Sequence, residues 1–119
     1  MAVHFEIPGR PVAKQRARQR NGQFYTPAAT RHFEDAVALI ARADRGPQLT
    51  GEIEVEIHIS TKRPMRGDVD NYAKSILDGI VKGGVIADDR EIVSLCISKS
   101  VVTWEDDRTY VSVRQRSET

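Results

Sequence analysis

Residues 52–59 read Glu52-Ile53-Glu54-Val55-Glu56-Ile57-His58-Ile59, a strict alternation of polar and branched apolar side chains. Successive side chains of a strand point to opposite faces, so this stretch predicts a β-strand with one apolar and one acidic, solvated face. The apolar face must be covered by something, and the flanking sequence supplies two covers. Downstream, Ala73, Ile76, Leu77, Ile80 and Val81 recur at the spacing of one buried helical stripe. Asp70 or Asn71 offers the N-cap, and Gly83-Gly84 the stop. Upstream, Thr26 at N-cap and Pro27 at N1 predict a helix start, and Phe33, Ala36, Val37, Ile40 and Ala41 give a second stripe.

Three further strands follow from alternation. Val3, Phe5 and Ile7 alternate with His4 and Glu6 before Pro8-Gly9 breaks the run. Ile92 to Val102 reads as a long strand with Val93, Leu95 and Ile97 on one side and Cys96 packed on the other. Tyr110, Val111 and Val113 make the last, after a polar turn at Trp104-Glu105-Asp106-Asp107-Arg108. The order β-α-β-α-β-β predicts an α/β (α+β) two-layer sandwich: a mixed four-stranded sheet with two main helices on one face. Strand order does not follow from the pattern. At 119 residues, the whole of 1–119 is expected to form a single domain.

Net charge is only +1, but its distribution is uneven. Arg10, Lys14, Arg16, Arg18, Arg20 and Arg31 fall in a stretch without an acidic residue. Lys14, Arg16, Arg18 and Arg20 alternate, so an extended segment would aim them to one side. Guanidinium and ammonium groups in that arrangement suit phosphate contact; a solvated loop is the alternative. Phe24 and Tyr25 either pack against the following helix or stack on a base. His4, His32 and His58 read as surface residues, and Glu52, Glu54 and Glu56 as a solvent face rather than metal ligands. A single cysteine excludes an intramolecular disulfide and a cysteine-built zinc site, and suits a reducing cytoplasm. No apolar run has membrane-spanning length, and residues 1–6 do not read as a signal peptide.

The chemistry concentrates in Arg66-Gly67-Asp68-Val69-Asp70-Asn71-Tyr72-Ala73-Lys74-Ser75-Ile76-Leu77-Asp78. Asp68 and Asp70, spaced i, i+2, share one side of an extended segment. Two close carboxylates resist joint ionisation unless a cation neutralises them. Their hard oxygens suit Mg²⁺, with Mn²⁺ as a substitute. Lys74 follows Asp70 by one helical turn, and Asp78 follows Lys74 by another. Asp88-Asp89 comes after the helix. Lys62, Arg63 and Arg66 stand just before the carboxylates, either neutralising them or receiving a DNA backbone. Asp and Asn also cap helices for purely structural reasons.

The whole constellation of Asp68, Asp70, Asn71, Lys74, Asp78, Asp88 and Asp89 resembles the RusA family of crossover-junction endodeoxyribonucleases. The chain length, the basic N-terminal segment and the strand ending near Lys99 fit as well. The resemblance implies a Mg²⁺-dependent, homodimeric Holliday-junction resolvase of a kind found in phages and prophages, acting on four-way junction DNA in recombination and repair without organic cofactor or membrane. On this reading Asp70 and Asp89 are metal ligands, and Asp68 is a third, direct or through water. Lys74 faces the phosphate or the attacking water. Asn71 donates to phosphate or holds a ligand, Asp78 supports Lys74 or the ligands, and Asp88 orients or caps. Lys14, Arg16, Arg18, Arg20, Lys62, Arg63, Arg66 and Lys99 are expected to contact DNA. A Mg²⁺-dependent flap or single-strand nuclease and a non-catalytic junction-binding protein are the alternatives.

Overall fold

A computed structural model describes residues 1–14, 18–44 and 46–116, with the side chains of Arg18, Phe24 and Tyr25 also outside the described set. Four strands form the main sheet: β1 (Ala2–Pro8), β4 (Ile53–Thr61), β5 (Ile92–Val101) and β6 (Arg108–Gln115). Their spatial order is β1-β6-β4-β5. β6 runs antiparallel to both β1 and β4, whereas β4 and β5 are parallel. A parallel pair needs a crossover, and helix α2 (Val69–Lys82) provides it. Helix α1 (Ala28–Asp44) packs against α2 and β1.

Register explains the core. Val3 and Phe5 of β1 face Val113 and Val111 of β6, which in turn face Val55 and Ile57 of β4. All six are buried, together with Phe33, Val37, Ile76 and Ile80 from the helices. The predicted two-layer α+β architecture is therefore present, with the helices on the apolar face of β4. The acidic face of β4 stays open, and Glu52 and Glu54 are engaged there by Arg114 and Arg116.

Four local expectations change. First, Asn21-Gly22, with φ 53° and 77°, turns a short hairpin between β2 (Arg18–Arg20) and β3 (Gln23–Tyr25) within the basic segment. Two successive positive φ values are what a tight hairpin needs, and Asn-Gly supplies them. Second, α1 begins at Ala28, with the Pro27 carbonyl accepting from the Arg31 N–H. Its buried face is Thr30, Phe33, Glu34, Val37, Ala38 and Ala41, while Ala36 is exposed. Third, α2 is capped by Asp68, not Asp70 or Asn71. Fourth, β5 is an edge strand that the helices barely cover. Val93 and Leu95 are 50% and 44% exposed, and Cys96 is exposed rather than packed.

The two helices cross where glycine allows it. A Cβ on Gly79 would lie 2.5 Å from Val37 Cβ, and one on Gly83 would lie 2.8 Å from the Ala38 carbonyl oxygen. The α2 C-terminus then closes as a Schellman motif. Gly84, at φ 79°, donates to Val81 O and Val85 to Ile80 O. Arg42 of α1 donates to Lys82 O at 3.2 Å, stitching the helix ends together. Gly79→Ala should destabilise the fold by about 1–3 kcal/mol, the cost of overpacking a tight contact. Urea unfolding followed by circular dichroism measures it; an unchanged midpoint would mean the helices separate freely.

Candidate active site

The loop before α2 is held from inside. Tyr72, buried in the first turn, donates its hydroxyl to Arg66 O at 2.7 Å. Gly67 takes φ 93°, a left-handed turn that a side chain would strain. Arg10 donates to Arg63 O and Pro64 O at 3.4 and 3.0 Å, tying the segment after β1 to the same loop. The result presents Asp68 at the N-cap and Asp70 in the first turn of α2. Asp68 makes no side-chain cap hydrogen bond. Among the described residues neither its carboxylate nor that of Asp70 has a hydrogen-bond or ion-pair partner.

One turn on, the Lys74 ammonium bridges two carboxylates, 3.2 Å from Asp78 Oδ1 and 3.1 Å from Asp89 Oδ2. Asp89 reaches the helix because a single 3₁₀ turn, Asp89–Glu91, precedes β5. Asp88 builds that turn. Its side chain accepts from the Arg90 N–H at 2.9 Å, and Glu91 accepts in return from the Asp88 N–H at 3.3 Å. Asp88 therefore caps, while its neighbour Asp89 projects toward Lys74. The Arg90 N–H, with the Arg90 guanidinium 3.2 Å away, keeps the Asp88 carboxyl below its ordinary value.

Behind Asp78 lies a charge chain that periodicity did not reveal. Asp78 Oδ2 is 2.9 Å from Lys14 Nζ, and Lys14 Nζ is 2.7 Å from Glu34 Oε2. Glu34 is only 3% exposed, and its other oxygen takes Lys82 Nζ at 3.0 Å. The stretch from Val12 to Lys14 is strapped across both helices. Ser75 donates to Val12 O, Thr30 to Ala13 O at 3.4 Å, and the Lys14 N–H to Asn71 O at 2.9 Å. Lys14, expected to project toward DNA, is instead drawn inward by Glu34 and Asp78. The sequence reading gave Glu34, Tyr72 and Ser75 no role, and Arg10 only a place in the basic segment. Each looks ordinary in its own element, and the partners lie 6 to 63 residues away.

Asp68, Asp70, Lys74, Asp78 and Asp89 are thus borne by one helix and the turn packed against it. Asn71 lends its carbonyl to Lys14, and its exposed side chain has no hydrogen-bond partner among the described residues. Among the described residues, no three His, Cys, Asp or Glu side chains gather closely enough to hold a metal ion. The expected trio of Asp68, Asp70 and Asp89 is not preassembled, because Asp89 is turned to Lys74. The donor chemistry nevertheless fits a hard divalent ion: two carboxylates at a helix entrance, without partners among the described residues, and a third within reach of the same helix.

Of the expected DNA-contacting residues, Arg16 lies outside the described residues, as does the Arg18 side chain. Arg20, Arg63, Arg66 and Lys99 are exposed and form no ion pair among the described residues. Lys62 pairs with Asp106 at 3.3 Å across an exposed surface, and its N–H donates to Asp107 Oδ1. These two aspartates of the polar turn are therefore engaged with Lys62.

With this geometry in place, comparisons with known proteins converge. The family model for endodeoxyribonuclease RusA matches residues 8–114. The chain is 29% identical over 103 residues to the crossover junction endodeoxyribonuclease of Enterobacteria phage 82, covering 84% of each chain. It is 30% identical over 100 residues to the crossover junction endodeoxyribonuclease of Escherichia coli strain K12, covering 82% of each. The Shigella sonnei counterpart is 29% identical over 100 residues, again with 82% of each chain covered. No described helix is long and apolar enough to cross a membrane.

The ion chain gives a pH signature. Burial opposes the charge of Asp78, but Lys14 and Lys74 outweigh it and leave its pKa below the ordinary value. A depressed folded-state value contributes stability that is present above the unfolded pKa of about 3.9 and is lost as pH falls through the folded value. Asp78→Asn should therefore lower stability at pH 7 by about 2 kcal/mol, the scale of hydrogen bonds to charged groups. It should also flatten the acid limb below pH 4. Denaturant unfolding from pH 7 to pH 2 reads both effects; parallel curves for wild type and variant would remove Asp78 from the stability account.

Proposed function

Because the chain belongs to the RusA family of endodeoxyribonucleases, hydrolases acting on DNA, we propose that it resolves four-way junctions by Mg²⁺-dependent, paired symmetric nicks. The observation that carries the reading is the Lys74 ammonium held between Asp78 and Asp89, one turn along from Asp70, which has no partner among the described residues. Phosphodiester cleavage needs positive charge at phosphorus and an activated water. Asp68, Asp70 and Asp89 are the residues that would hold the ion, which when bound lowers the pKa of water and offsets charge on the phosphate. Mn²⁺ has the same ligand preferences and would substitute.

Lys74 supplies a fixed hydrogen-bond donor. Asp89 raises its pKa above the ordinary lysine value, more than burial lowers it, and Asp78 adds to the effect. It is therefore an ammonium at neutral pH, suited to stabilising a phosphate oxygen and unsuited to removing a proton from water. The exposed Asn71 side chain can donate to the same phosphate. Arg18, Arg20, Lys62, Arg63, Arg66 and Lys99 are the candidates for backbone contacts, which hold DNA without reading its sequence.

One site cuts one strand, so resolution into two duplexes needs two equivalent sites. A C2 homodimer supplies them for a pseudo-symmetric junction. The apolar surface of Val93, Leu95 and Val101 along edge strand β5 favours such an association. A cytoplasmic setting agrees with the exposed free Cys96.

Cleavage of a synthetic four-way junction with Mg²⁺, and its loss with EDTA, tests the proposal directly. Flap and linear substrates in the same assay separate a resolvase from a general nuclease. Asp70→Asn should abolish cleavage and keep junction binding; loss of folding instead would make Asp70 structural. Lys74→Ala should slow single-turnover cleavage by about 100-fold, the scale for removing one preorganised donor. An undiminished rate would leave Lys74 a simple surface pair with Asp78.

The basic hairpin gives a separate expectation. If Arg20 touches a phosphate, Arg20→Ala should reduce the slope of log K against log salt by about one unit per chain, for junction and duplex alike. Electrophoretic or fluorescence titrations across a salt series measure it. Parallel slopes would move the DNA surface to Arg63, Arg66 and Lys99.

A further inference from the structure

Lys14 is the member of the basic segment that turns inward. Its ammonium lies 2.7 Å from Glu34 Oε2 and 2.9 Å from Asp78 Oδ2, and its backbone N–H donates to Asn71 O. Glu34 cannot follow Lys14 elsewhere, because it is buried in α1 and its second oxygen is taken by Lys82 of α2. Asp78 is likewise shared, with Lys14 on one oxygen and Lys74 on the other. Lys74 in turn divides its ammonium between Asp78 and Asp89. The pull of Asp78 on Lys74 thus depends on how much of the Asp78 charge Lys14 has already offset.

We propose that Lys14, anchored by Glu34, is a positioning residue: by occupying one oxygen of Asp78 it leaves Lys74 shared with Asp89, where it can meet the phosphodiester. This rests on the reading of Lys74 as the phosphate-facing donor. Without Lys14, Asp78 carries an unshared charge and draws Lys74 into a plain i, i+4 pair along the helix, away from Asp89. The lysine would remain on the surface, charged, but in the wrong place. A shift of about 1 Å in a preorganised donor is enough to matter to rate while leaving DNA affinity untouched.

The test compares Lys14→Met with Lys14→Arg by single-turnover cleavage of a four-way junction at saturating protein, alongside junction Kd at fixed salt. Lys14→Met should lower the rate about tenfold, the lower end of the scale for partners that orient a site from behind, with Kd unchanged. Lys14→Arg should restore most of the rate. In a Lys74→Ala background, Lys14→Met should cost nothing further, because the two act as one unit. An equal loss in both backgrounds, or a loss confined to Kd, overturns the proposal, the second returning Lys14 to DNA contact. Nitrogen-15 NMR of the lysine ammonium groups reads the coupling without any cleavage. The Lys74 resonance should move on Lys14→Met, and an unmoved resonance overturns the proposal. Should the wild type fail to cut a junction, the functional reading fails by itself, and the NMR arm still decides where Lys74 is held.

Discussion

Burying one carboxylate organises this molecule. Glu34 sits on the helix-packing face of α1 at 3% exposure, where an unpaired charge would be prohibitive. It is made tolerable by two ammonium groups, Lys14 from the segment after β1 and Lys82 from the end of α2. Three segments far apart in sequence therefore close on a single pair of oxygens. Such pairs contribute little net stability over an apolar core of the same shape, yet removing one partner is costly. The ion pairs of Glu34 lie at the seam where α1 meets α2, with Gly79 and Gly83 at the crossing. The Val12–Lys14 strap is laid over the same seam. On the same helix Asp78 pairs with Lys74, whose ammonium also reaches Asp89 in the turn before β5.

The sheet imposes the complementary constraint. Placing β4 parallel to β5 requires the chain to cross over, and α2 is the crossover, so both ends of the site belong to one β-α-β unit. Asp68 and Asp70 lie where the unit leaves β4, and Asp89 where it returns to β5. The capping box formed by Asp88 and Glu91 fixes the return turn, so adjacent aspartates have opposite fates. Asp88 is taken by the Arg90 N–H on one oxygen and the Arg90 guanidinium on the other, and Asp89 faces the helix. The same arrangement leaves β5 at the sheet edge, which explains both its exposed apolar residues and its open hydrogen-bonding rim.

Legibility followed range. The alternation of Ile53 to Ile59 and the stripe from Ala73 to Ile80 are local patterns, and the structure buries both as read. The N-cap of α2 was displaced by two or three residues because Asp68, Asp70 and Asn71 all qualify chemically. Tyr72 and Gly67 decide among them by fixing the loop. Alternation in β5 identified a strand but carried no information on its place at the sheet edge, where Ile92 and Ile97 still pack against the core while Val93, Leu95 and Cys96 are exposed. Asn21-Gly22 was a readable hairpin signal hidden within a run of arginines. Glu34 had no signal at all: a lone glutamate after Phe33 looks like the start of a solvated face. Its meaning depends on lysines 20 and 48 residues distant. The candidate site was legible as a set of residue types, whereas its connectivity was not.

The way α2 begins also accounts for why its first two carboxylates remain available. Backbone N–H groups at a helix start carry a partial positive field, which favours anions there without requiring a specific bond. Asp68 occupies the N-cap in extended conformation, φ −85° and ψ 141°, with its side chain not closing the usual cap hydrogen bond. Asp70 follows in the first turn. Neither side chain has a partner among the described residues, so both keep their oxygens uncommitted there. Farther along, where that field has faded, Asp78 is held by two discrete lysines instead. One helix in this way presents two kinds of carboxylate: a free pair at its entrance, open to a cation, and a committed one that orients the neighbouring ammonium. Exchanging the two environments would leave the residue types unchanged and destroy the arrangement. Lys74 is shared between Asp78 and Asp89 at the same time as, among the described residues, the entrance aspartates stay unpaired.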